Sequence, residues 1–143
     1  MAITQTMCTS FKKALLDGEM DFSSNTSQSY KIALYTNSAS LDATTTVYTT
    51  SNEASGTGYT AGGAALTIST APTTSGTTAY LSFSTASWAS STITARGALI
   101  YQVGGTTPAV AVLDFGSDKS TSNTTFQVTF PTADATTAIV RIA

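Results

Sequence analysis

Apolar residues recur along this chain at two different intervals, and the change from one to the other marks where helix gives way to strand. Near the N-terminus Met7, Phe11 and Leu15 stand four residues apart, the spacing that gathers side chains on one helical face. Ala14, Leu15 and Leu16 favour helix, Thr9 or Ser10 can serve as N-cap, and Gly18 can close the C-terminus. These signals predict one short α-helix over about residues 4–17. Burying Phe11 and Leu15 would stabilise by about 1.5–3 kcal/mol each. That face must therefore cover something, either an open edge or end of the domain's own sheets or a neighbouring subunit.

From Tyr30 onward the interval is two: Tyr30, Ile32 and Leu34 point one way, Lys31, Ala33 and Tyr35 the other. Similar runs follow at 64–70, 79–84, 92–102, 109–115, 124–130 and 137–142, separated by stretches rich in Ser, Thr, Gly, Asn and Pro such as 71–76 and 103–108. The reading is a mainly β chain, an antiparallel β-sandwich of about seven to eight strands with the short N-terminal helix in front, forming a single domain over residues 1–143. Runs 92–102 and 109–115 read as a hairpin. Ile93, Ala95, Gly97, Leu99 and Tyr101 lie on one face of the first run, with Arg96, Ala98 and Ile100 on the other. Apolar residues on both faces predict a central strand, or one whose outer face meets another subunit.

Composition adds a constraint on partners. Only 10% of residues are charged and the net charge is −2, while 41% are hydrophobic, a balance that folds. Ser and Thr supply about a third of the chain, so the surface is polar but nearly uncharged. Lys12, Lys13, Lys31, Arg96, Lys119 and Arg141 are scattered, which argues against nucleic-acid binding. Weak charge gives little electrostatic steering and suits permanent assembly by shape, backbone pairing and apolar contact. No run approaches the roughly 18 apolar residues of a membrane span, and the first residues carry no secretion signal, so no membrane partner and synthesis in the cytoplasm are expected. The lone Cys8 is expected as a small buried hydrophobe. The glycosylation-type triplets at Asn25 and Asn123 read as chance matches.

The chain has no histidine, which removes the commonest general base and transition-metal ligand, and one cysteine cannot build a Cys-rich zinc site. The carboxylates Asp17, Glu19, Asp21, Asp42, Glu53, Asp114, Asp118 and Asp134 fall mostly in apparent turns or helix ends and read as solvated. Asp114-Phe115-Gly116-Ser117-Asp118, read as a turn, offers two acids but lacks the spacing of a calcium loop. The glycine-rich stretch 56–63 lacks a phosphate-binding lysine and reads as a flexible inter-strand loop. Trp88, placed just before a Ser90-Ser91 turn, reads as a core or sheet-end aromatic. Arg96, inside an apolar strand, needs an acidic partner such as Glu53 or Asp114, or exposure at an interface. No catalytic, cofactor-binding or metal-binding residue is assigned, and no enzymatic activity or cofactor is expected.

Taken together, Met7-Cys8-Thr9-Ser10-Phe11-Lys12, Tyr30-Lys31-Ile32-Ala33-Leu34-Tyr35-Thr36, the stretch 56–63, the stretch 93–101 and Ala111-Val112-Leu113-Asp114-Phe115-Gly116 resemble a family of small virion structural proteins of tailed bacteriophages. The resemblance spans nearly the whole chain. It implies a setting, the virion, with other virion proteins as partners and assembly in the host cytoplasm, and it carries no catalytic residues. Within that setting a homo-oligomeric capsid decoration or cement protein is expected. A tail, neck or fibre-associated adaptor is the alternative, and a carbohydrate-binding host-recognition module, with Tyr35, Tyr48, Tyr59, Tyr80, Trp88 and Tyr101 as stacking faces, is a second.

Overall fold

A computed structural model describes residues 2–143. In chain order the elements are β1 (Thr6–Met7), α1 (Thr9–Asp17), β2 (Tyr30–Tyr35), β3 (Ala64–Leu66), β4 (Ile68–Ser75), β5 (Thr78–Phe83), β6 (Ala86–Ser91), β7 (Thr94–Gln102), β8 (Ala109–Ser120), β9 (Thr124–Val128) and β10 (Val140–Ile142). They form a five-stranded sheet ordered β1-β8-β7-β2-β3, a three-stranded sheet β10-β5-β4 and a two-stranded sheet β6-β9, with every strand pairing antiparallel. The fold is thus mainly β with one short N-terminal helix, and it has ten strands among the described residues in place of the seven to eight read from the sequence.

The helix is shorter than predicted. Residues ahead of it are extended because their backbone groups are taken elsewhere: Thr4 donates to Leu41, β1 pairs with Ala111 and Val112, and Cys8 donates to the Val110 carbonyl. Cys8 thereby becomes the N-cap, with no side-chain capping bond, and neither Thr9 nor Ser10 caps; the Ser10 hydroxyl is buried without a partner. Cys8 is fully buried, and burial, with Asp42 adding, pushes its thiol up to about 11. Gly18 closes the helix as expected, in the left-handed conformation at φ 72°.

Registers show that the two-stranded sheet continues the five-stranded one. Thr94 lies opposite Ser120 in β7–β8, and Ser91 lies opposite Thr124 in β6–β9. The strands β6–β7 and β8–β9 therefore form one long ribbon, bent where the chain passes 91–94 and 120–124. A bulge on β6 between Trp88 and Ser91, with Ser90 at φ 49°, supplies the local distortion. The sequence reading placed a turn at Ser90-Ser91 and missed β6, because the bend interrupts the alternation. A turn is also expected at 71–76, where β4 instead runs through Pro72 to Ser75; Pro72 falls within the register shift between Thr70 and Thr73 on an edge strand, which tolerates the proline. The run 114–118, also read as a turn, is an irregular excursion within β8, opposite Arg96, with Gly116 at φ 79°.

Strand β7 is central, between β2 and β8, as its two apolar faces predicted. On one face Tyr30, Ile32 and Ile100 are buried; Phe22 stacks on Tyr30 at 4.3 Å and meets Phe11 of α1 at 5.9 Å and Phe83 of β5 at 6.3 Å. The helix thus covers the domain's own sheet. On the other face Tyr35, Leu99 and Tyr101 are covered by the connection 36–63, whose Tyr48 stacks on Tyr101 at 4.6 Å.

Candidate functional site

A polar cluster sits where the connection 36–63 crosses the end of β2. Glu53 forms an isolated antiparallel bridge with Tyr35, which fixes its backbone at the end of β2. The Tyr48 hydroxyl donates to Oε2 and the Tyr59 hydroxyl to Oε1, each at 2.6 Å, and the Gly62 N–H donates to Oε1 at 2.8 Å. Tyr59 accepts in turn from the Leu34 N–H, and the Tyr101 hydroxyl donates to the Gly62 carbonyl at 2.7 Å. Burial first, and the hydrogen bond to Glu53 second, raises the Tyr48 and Tyr59 phenols above their ordinary range. Three donors converge on this one carboxylate, so the cluster ties the connection 36–63 to the end of β2.

The glycine-rich stretch 56–63 is part of this arrangement and is packed against strands, which corrects its reading as a flexible loop. Gly56 lies against the Thr92 carbonyl and Gly63 against the Ile32 carbonyl, positions where any side chain would collide. Replacing Glu53 with Ala is expected to cost about 3 kcal/mol in urea unfolding, because two hydroxyls and one N–H lose a charged acceptor. Glu53→Gln keeps an oxygen for Tyr59 and Gly62 while its amide faces Tyr48, and is expected to cost about 1 kcal/mol. Equal losses in the two variants would show that the hydrogen bonds are not what holds the loop.

Arg96 finds its acidic partner in Asp114, with Nε donating to Oδ1 at 3.0 Å, while Glu53 lies in the separate cluster above. The Gly116 N–H, donating to the same oxygen at 2.8 Å, and then Arg96 hold the Asp114 carboxyl below its usual range. Asp118 accepts separately from Asn37. Among the described residues no three His, Cys, Asp or Glu side chains gather where one ion could be held. Of the six aromatics named as stacking faces, five are buried or tied to Glu53, and the sixth, Tyr80, is half-buried on β5. Tyr35, Trp88 and Tyr101 are buried, Trp88 lies between Tyr59 at 5.9 Å and Phe126 at 6.0 Å, and Tyr48 and Tyr59 are committed to Glu53.

What the surface does present is apolar. Helix α1 turns Phe11 and Ala14 inward, yet Leu16 is 91% exposed and Ile142 of β10 is 52% exposed. Between them lies a groove of about 400 Å³ lined by Met7, Leu15, Leu16 and Ile142 and flanked by Lys12 and Arg141. A second groove of about 350 Å³, lined by Met20, Pro72 and Tyr80 among others, adjoins the first at Leu15 and Ile142. Of the stripe expected from the sequence only Phe11 is buried: Met7 lies ahead of the helix in β1, Leu15 is half-buried and lines the groove, and Ala14 takes the second inward position, because the sheet approaches the helix on the Phe11–Ala14 side and leaves Leu16 exposed. No family model, curated protein or solved structure matches the chain.

Proposed function

We propose that the chain is a non-enzymatic structural protein of a tailed-bacteriophage virion, a capsid decoration or cement protein that stabilises the shell through contacts made as an oligomer. The observation that carries this reading is the apolar groove between α1 and β10, centred on the exposed Leu16 and Ile142. A contiguous apolar surface on an otherwise polar, weakly charged chain suits a permanent protein contact, and the occupant in this reading is the major capsid protein. The sequence resemblance supplies the setting. The architecture is read as a sandwich in which the five-stranded sheet is one layer and the three-stranded sheet, through Phe83, lies in the other.

Quantitative mass spectrometry of purified virions, calibrated against the major capsid protein, tests the assignment. Hundreds of copies per particle support the cement role, a few dozen or fewer point to a neck or tail adaptor, and absence overturns the virion reading. Leu16→Lys tests the surface. It is expected to weaken binding to shells lacking this protein by about tenfold or more, about 1.4 kcal/mol, with an unchanged melting temperature because the side chain touches little of its own domain.

A further inference from the structure

An unpaired strand edge recruits other strands, and most edges of this fold carry something that prevents it. In the five-stranded sheet β1 and β3 are only two and three residues long. In the three-stranded sheet β10 is three residues long and includes Arg141, and β4 carries Pro72 and two register shifts. In the two-stranded sheet β6 bears the bulge and runs beside β3. Strand β9 differs from all of these. Its five residues, Thr124-Thr125-Phe126-Gln127-Val128, contain no charge, proline or glycine, and the bulge opposite it belongs to β6, so its own backbone is regular.

The outer side of β9 opens into a groove of about 420 Å³ within the bend of the ribbon, bordered on the β8 side by Phe115, Lys119, Ser120 and Thr121. Consecutive residues from Thr125 to Thr129 line it. A strand's face would contribute alternate residues, so it is the edge that looks into the groove. Phe126 and Val128 point into the domain's core while Thr125 and Gln127 are exposed.

We propose that the β9 edge is a self-association site, at which the same strand of a second copy pairs antiparallel about a two-fold axis through Phe126. This deepens the oligomer part of the reading above. In that register Thr124 faces Val128 of the second copy, Thr125 faces Gln127 and Phe126 faces Phe126. No like charges meet along the strand, and a net charge of −2 opposes the approach of two copies only weakly. Pairing of five residues alone falls short of the roughly 1,000 Å² that a stable interface buries. The adjoining groove, with half-buried Phe115 beside Phe126 at 6.3 Å, supplies further surface for the second copy to cover.

Two double variants at exposed positions test the register by sedimentation equilibrium. Thr125→Lys with Gln127→Lys sets lysine opposite lysine twice, and the dimer dissociation constant is expected to rise about tenfold or more. Thr125→Lys with Gln127→Glu sets lysine opposite glutamate twice, and association is expected to stay within about threefold of the unmodified chain. Melting curves of both check that the fold is kept. Equal weakening by the two variants, or none by either, would overturn pairing at β9 while leaving an oligomer formed elsewhere and the virion reading intact. An unmodified chain that is monomeric up to high concentration would overturn both this site and the solution oligomer, and the copy number in virions would still be decided separately.

Discussion

Between about pH 10 and pH 12 the protein is expected to unfold in one cooperative step, driven by buried tyrosines. Burial pushes Tyr30 up to about 12, and burial raises Tyr35 and Tyr59 as well, Tyr59 also through its hydrogen bond to Glu53. A phenol whose folded pKa lies above its unfolded value near 10 contributes stability that is complete below about pH 10 and is lost as pH rises toward the folded value. Each such group removes about 1.4 kcal/mol per pH unit in that window, so three remove about 4 kcal/mol per unit. The two units up to pH 12 thus remove about 8 kcal/mol, enough to unfold a domain in the lower half of the usual range of about 5–15 kcal/mol, with the Tyr30 share levelling off at about 12. Tyrosinate absorbance and far-ultraviolet circular dichroism should change together. Full ionisation of the tyrosines near pH 10 with the sheets intact would show that these phenols are not held by the fold.

Gly63→Ala is expected to be the most damaging single substitution in the glycine-rich stretch, costing about 4 kcal/mol or more and leaving much of the protein insoluble. Gly63 has φ +81°, and a Cβ there would stand 1.8 Å from the Ile32 carbonyl oxygen and 2.7 Å from the Ala33 Cα. The obstacle cannot retreat, because Ile32 is paired on both sides, with Ala64 of β3 and Ile100 of β7. Gly76→Ala provides the comparison. It has φ +59° and open space around the position, so only conformational strain of about 1 kcal/mol is expected. Similar urea midpoints for the two variants would mean that the close approach of the loop to β2 is not a constraint.

The same contrast explains what could be read in advance. Alternation over 30–35, 92–102 and 109–115 marked the three strands at the heart of the five-stranded sheet, and apolar residues on both faces of the middle run placed it centrally. Those signals are local, since burial repeats every second residue along a regular strand. Where the chain bends the local signal fails. The β6 bulge and the excursion at 114–118 break the alternation, and Pro72 looked like a terminator because its position on a sheet edge was unknown.

Glu53 shows the limit for side chains. In the sequence it is one acid among eight, and nothing near it reveals that Tyr48, Tyr59 and Gly62 all converge on it. The apolar interval of four grouped Met7, Phe11 and Leu15, yet only Phe11 is buried, since Met7 pairs in β1 and the half-buried Leu15 and exposed Leu16 depend on which side the sheet approaches. Residue order thus specified strand-rich character, a short helix closed at Gly18, a weakly charged surface and the lack of histidine chemistry, because each depends on neighbours in the chain or on composition. Folding in three dimensions specified the bent ribbon, the glycine-lined loop closed over Glu53, the groove beside Leu16 and the bare edge of β9, because each is a contact, or a missing contact, between residues far apart in the chain.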